Sequence, residues 1–132
     1  MSDTYTVVNP ATEQAVADVQ MADLAAVDAA IDRAAAALPA WRAITPGERA
    51  TLLRRFASVV DAHVEEVAEL EVRNSGHTWG NAVWEAGNVR DVLNYYSASP
   101  ERLTGHQIPV GGGVDITFHE PLGVVGIIVP WN

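Results

Sequence analysis

Asn132 stands directly after Pro130 and Trp131 at the end of an apolar, β-branched run from Val124 to Val129. A run that is apolar at successive positions has the pattern of a strand buried on both faces. The residue after it falls at the strand's carboxyl end, where ligands of open α/β sheets gather. The Asn132 side chain is a neutral amide with two N–H donors, suited to stabilising the negative oxygen that develops on a carbonyl under attack. An Asn after Pro-Trp is also an ordinary turn residue. The position makes an oxyanion role plausible without identifying it.

The other chemistry-bearing residues point elsewhere. The four histidines, at positions 63, 77, 106 and 119, show no H-x-x-x-H or comparable ligand spacing, and there is no cysteine to join them. No metal is assigned, and each histidine reads as a surface or turn residue. The acidic residues Glu65, Glu66, Glu69 and Glu71 fall opposite a Val60/Val64/Val67 seam and read as a solvated helix face. Gly111-Gly112-Gly113 lies between two strand patterns and reads as a turn, and neither G-x-G-x-x-G nor G-x-x-x-x-G-K-[ST] occurs. Trp41, Trp79, Trp84, Tyr95 and Tyr96 lack interleaved basic residues and read as packing anchors. Without cysteine, these residues hold neither a disulfide framework nor a thiolate nucleophile. Seventeen acidic against eight basic residues give a net charge of −9, which disfavours nucleic acid and anionic membranes as partners. No segment approaches the roughly 18 to 20 apolar residues of a membrane span, and the N-terminus has no basic-then-apolar leader pattern. A cytoplasmic protein is the expectation.

The elements that position these residues follow from local signals. Tyr5 to Val8 and Gln14 to Val19 read as a hairpin around Asn9-Pro10. Asp23 caps a helix with Leu24, Val27, Ile31, Ala34 and Leu38 on one face, expected to end at Pro39. Thr45, Pro46 and Glu48 form a capping-box signature. The pattern that follows, through Leu53, Phe56, Val60, Val64 and Val67, predicts two helices broken near His63 or one long helix, stopped by Asn74-Ser75-Gly76. A further helix is expected from about Gly80 to Ala98, with Trp84, Val89, Val92, Leu93 and Tyr96 on its packed face and Pro100 closing it. The period then switches to two: Gln107 to Val110, the glycine turn, and Val114, Ile116 and Phe118 predict a second hairpin. The tail strand follows Pro121 and Gly123. A parallel strand needs a crossover and neighbours, so the expectation is an α/β protein of which these 132 residues are the front piece, cut where its main sheet begins.

Glu120-Pro121-Leu122-Gly123-Val124-Val125-Gly126 through Pro130-Trp131-Asn132 resembles the strand-and-turn signature of the NAD(P)-dependent aldehyde dehydrogenases. The resemblance extends upstream in order, through Val8-Asn9-Pro10-Ala11-Thr12, Trp41-Arg42, Glu48-Arg49, Glu71 ahead of Asn74-Ser75-Gly76, Tyr95-Tyr96, and Gly105 ahead of Ile108-Pro109. It implies a helix-rich N-terminal portion over 1–106, the hairpin and helices of the cofactor-binding domain, then a hairpin of an oligomerisation arm over 107–119, and over 120–132 the first strand of a Rossmann-like sheet. It further implies NAD or NADP as cofactor, a small aldehyde as substrate, and a homodimer or homotetramer at full length. A cysteine thiolate adds to the aldehyde, and a glutamate activates water to release the acid. Asn132 donates its amide N–H to the oxyanion, while Val129, Pro130 and Trp131 border the nucleotide together with Asn132. On this pattern the cysteine and glutamate lie outside these residues, so the chain alone is expected to be inactive. A monovalent cation near Val7, Val8 and Asn74 also belongs to the family pattern. The chain departs from it at Gly76-His77-Thr78, where many relatives have Gly-Lys-Pro.

Two other readings remain open. One is a naturally short, non-catalytic assembly module that pairs its Val114/Ile116/Phe118 and Val124 to Val129 strands with another subunit, since both would otherwise be exposed edges. The other is a family member that handles acyl-CoA or a semialdehyde.

Overall fold

The structure is a computed structural model that describes residues 3–130; Trp131 and Asn132 lie outside the described residues. The chain opens with an antiparallel hairpin of β1 (Thr4–Val8) and β2 (Ala15–Gln20), in which Tyr5 pairs with Val19 and Val7 with Ala17, and the register shifts between Val7 and Val8. Its turn is held by the Asn9 side chain, whose Oδ1 accepts from the Ala11 N–H at 2.8 Å and the Thr12 N–H at 3.3 Å. This is the local side-chain-to-backbone bonding that makes Asn a turn former.

Helix α1 (Leu24–Ala43) is capped by Asp23, whose Oδ1 accepts from the Ala26 N–H at 2.8 Å. It runs through Pro39, contrary to the expected stop. Proline removes one helical N–H and strains the turn before it, but the final carbonyls are not left bare: Arg49 Nη1 donates to Trp41 O at 3.4 Å and to Ile44 O at 3.0 Å. Those bonds satisfy acceptors that a helix end otherwise leaves open.

Helix α2 (Pro46–Ala62) starts on the expected capping box. The Glu48 N–H donates to Thr45 Oγ1 at 3.2 Å, and the Thr45 N–H and hydroxyl donate to Glu48 Oε2 at 2.7 and 2.8 Å. These two donors hold the Glu48 carboxyl below its usual range, the backbone N–H contributing most. Glu48 therefore ionises more readily folded than unfolded. Its contribution to stability is present above the ordinary carboxylate pKa and is lost as pH falls through the lowered, folded-state value. Thr45→Ala is expected to cost about 1 kcal/mol in denaturant unfolding at neutral pH, and the deficit relative to wild type should shrink on acidification.

His63 breaks the pattern with φ −121° and ψ 15°, and α3 (Val64–Ser75) follows, so the two-helix alternative is the one adopted. Gly76 ends α3 at φ 79°, the left-handed conformation that glycine adopts without a Cβ penalty. Helix α4 (Trp79–Ser97) packs on both α2 and α3. Pro100 does not simply close it: it sits in the first turn of a short helix α5 (Ser99–Arg102), where a missing N–H costs nothing.

The packed faces differ from the expected seams. The buried side chains are Ala50, Ala57, Ala68, Ala82, Ala86 and Ser97, while Phe56 and Tyr96 are more than half exposed. Small side chains let helix backbones approach, and the contacts form where they line up. Arg90 adds a tie between α4 and α2, its Nη1 donating to Asp61 Oδ1 at 2.7 Å.

The second hairpin is present but short: β3 (Gln107–Ile108) pairs with β4 (Asp115–Ile116). Among the described residues the tail from Glu120 to Pro130 has no strand assignment, and Ile127 and Ile128 are almost fully exposed. A ladder needs a partner strand, and among the described residues none runs beside it, so the expected burial on both faces is not realised here.

Candidate functional site

Three places in the fold gather the residues with chemical potential. The first is the tail. Gly123, Val124 and Val125 lie along α1 in a groove with Ala34, Leu38 and Trp41. Beyond this anchorage the apolar side chains are exposed, Val129 to 73 %. Of the residues expected to border a nucleotide, Val129 is thus described and exposed, Pro130 ends the described segment, and Trp131 and Asn132 fall outside it. Pro130 offers a carbonyl and no N–H.

The entry to the tail is built by the helices. Trp41 from α1, Arg49 from α2, Tyr96 from α4, Leu103, His119 and Pro121 line a groove of about 400 Å³. Tyr95 and Tyr96 meet edge to face at 5.0 Å and 86°, a geometry that the aromatic quadrupole favours. Of the upstream residues that carry the resemblance, Trp41, Arg49 and Tyr96 line this groove at the foot of the tail; Trp79, Trp84, Tyr95 and Tyr96, expected as packing anchors, are each more than half exposed.

The second place is the interface between the first hairpin and α3. Val7, Val16, Val67, Glu71 and Asn74 line a groove of about 270 Å³. Val7 and Asn74 come together there, two of the three positions that the resemblance linked to a monovalent cation. Pro10 packs over the end of α3: a Cβ added at Gly76 would lie 2.7 Å from Pro10 Cγ.

The third place was not foreseen. Glu71 on α3, His77 after Gly76, and Glu85 on α4 bring one ligand atom each within 4.8 Å of the others, all three residues being half-buried. Glu71 does not belong to the solvated face assigned to it alongside Glu65, Glu66 and Glu69. No short-range spacing could have shown this cluster, because its members are brought together by the reversal at Gly76 and by the packing of α3 on α4.

With this geometry in place, comparison with known proteins is informative. The sequence model described as the aldehyde dehydrogenase family matches residues 1–132. Omega-crystallin of Enteroctopus dofleini is 33% identical over 132 residues, covering 97% of this chain and 27% of that protein. Among solved structures, an aldehyde dehydrogenase from Bacillus cereus superposes with a TM-score of 0.86 at 31% identity, covering 91% of this chain and 25% of that one. An NAD-dependent benzaldehyde dehydrogenase from Corynebacterium glutamicum gives a TM-score of 0.78 at 28% identity, covering 83% of this chain and 24% of that one. The chain spans about a quarter of the length of the curated relatives it matches.

Proposed function

This chain belongs to the aldehyde dehydrogenase family, and from that premise we propose that it forms part of an oxidoreductase that converts an aldehyde to a carboxylic acid with NAD or NADP. The observation that carries the reading is the family match over residues 1–132, supported by the likeness to the Bacillus cereus enzyme. Within the proposed oxidoreductase residues 1–106 supply the N-terminal hairpin and helices of the cofactor-binding domain, 107–119 one hairpin of an oligomerisation arm, and 120–132 the first strand of a Rossmann-like sheet. The partners are the aldehyde and further copies of the same subunit, as a homodimer or homotetramer.

The chain's own contribution to the chemistry is positioning and electrostatics. Thiolate attack on the aldehyde carbon forms a C–S bond and moves the carbonyl π electrons onto oxygen. Asn132 donates its amide N–H to that oxygen, a donor placed where charge develops. Val129, Pro130, Trp131 and Asn132 border the nucleotide, whose nicotinamide, when bound, supplies the oxidising equivalent. The thiolate and the water-activating glutamate come from residues other than these 132, which include no cysteine.

The exposed Phe118, Ile127 and Ile128 also support a second reading, a non-catalytic assembly module that buries these side chains against another subunit. Activity separates the two. The 132-residue chain should form no NAD(P)H with any aldehyde, and the same residues within a reading frame of the relatives' full length should form it readily. Turnover by the chain alone would overturn the division of labour, and an inert full-length protein would favour the assembly module.

A further inference from the structure

We propose that Glu71, His77 and Glu85 form a binding site for a divalent first-row transition ion, with Zn²⁺ as the probe, that fastens the end of α3 to α4. The site shares no residue with the groove at the foot of the tail and does not depend on the oxidoreductase reading.

Three observations carry it. The first is convergence: one imidazole and two carboxylates from α3, the loop and α4 place their ligand atoms within 4.8 Å of one another. The second is spacing. His77 Nδ1 lies 3.1 Å from Glu85 Oε2, and an ion bound to both at about 2.1 Å would see them about 95° apart, within the range that such ions accept. The third is an unmet bonding need. The Nδ1 atom is buried and makes no hydrogen bond, although the Glu85 oxygen lies 3.1 Å away. His63 shows the contrast: its Nδ1 meets Glu66 Oε2 at 2.8 Å as a hydrogen bond on an exposed helix face, with no third ligand.

The donor set selects the class of ion. A nitrogen ligand disfavours calcium and magnesium, which prefer all-oxygen shells, and the absence of sulfur disfavours the softest ions. Two carboxylates held this close repel each other, and a dication neutralises both while the imidazole stays neutral. With His77 28 % and Glu85 44 % exposed at the side chain, the ion can enter from solvent and complete its shell with water. Bound this way it ties Gly76, the pivot of the α3–α4 reversal, to both helices.

The test is zinc titration of the chelator-treated chain, read by calorimetry and by thermal unfolding. Wild type should bind one equivalent saturably, and its Tm should rise with zinc. His77→Gln and Glu85→Gln should each weaken binding at least about tenfold, and His63→Gln should leave it unchanged. His77→Lys guards against loss of fold: its ammonium restores a positive charge between the carboxylates but has no lone pair to give a metal. It should remain folded by circular dichroism and show no zinc-dependent rise in Tm. The absence of saturable binding by wild type would overturn the proposal. So would zinc affinity in folded His77→Gln or His77→Lys equal to that of wild type, since the ion would then be held elsewhere or the cluster would serve only as a protonated-histidine bridge.

Discussion

Gly105→Ala is expected to open the base of the second hairpin while leaving the α2–α3–α4 packing intact. A Cβ built at Gly105 would overlap the carbonyl oxygen of Thr117, whose carbon would lie 2.8 Å away. The obstacle is backbone, so no rotamer change relieves it. Thr117 also cannot retreat freely, since its N–H donates to His106 O at 2.9 Å and its Oγ1 accepts from the His106 N–H at 2.8 Å. Relieving the overlap means giving up one or both of these bonds. Overpacking of this kind costs about 1 to 3 kcal/mol, a large sum for a hairpin whose ladder has only two residue pairs, Gln107 with Ile116 and Ile108 with Asp115. Amide hydrogen exchange should show the protection of Thr117 falling to that of an open loop, with the protection of α4 unchanged. Undiminished protection at Thr117 would contradict the account of this close approach. In a full-length protein the same substitution should weaken subunit association if the hairpin belongs to the arm.

The features read correctly from sequence are those decided within a few residues. The Thr45/Glu48 capping box and the Asp23 cap depend on side chains bonding to nearby backbone, the break at His63 and the glycine stop at position 76 depend on local backbone conformation, and all are present. Where distant contacts decide, the sequence pattern misleads. Pro39 would end an isolated helix, but Arg49, ten residues further on, caps the turn that follows it. Apolar periodicity selects Phe56, Val89 and Tyr96 for the core because they are large. The helices instead close on Ala57, Ala82 and Ala86, where side-chain size permits approach. Glu71, His77 and Glu85 are separated by intervals that no motif search weighs, and only the packing of α3 on α4 joins them. The tail was legible as a pattern, and its order relative to the upstream residues carried the family resemblance. Its strand character requires neighbours to pair with and is not expressed in residues 3–130.

The largest expected effect belongs to Asn132. The role proposed for it rests on the resemblance of Pro130-Trp131-Asn132 to the family's motif. If its amide meets the oxyanion only as negative charge develops, its loss removes an interaction made in the transition state and little that holds the ground-state aldehyde. The measurement that tests this most directly is the steady-state kinetics of aldehyde oxidation by a full-length protein carrying residues 1–132, comparing Asn132→Ala with wild type. A drop in kcat of about 10²- to 10³-fold is predicted, with KM for the aldehyde changing far less. A turnover number equal to that of wild type would contradict the account and remove Asn132 from the chemistry.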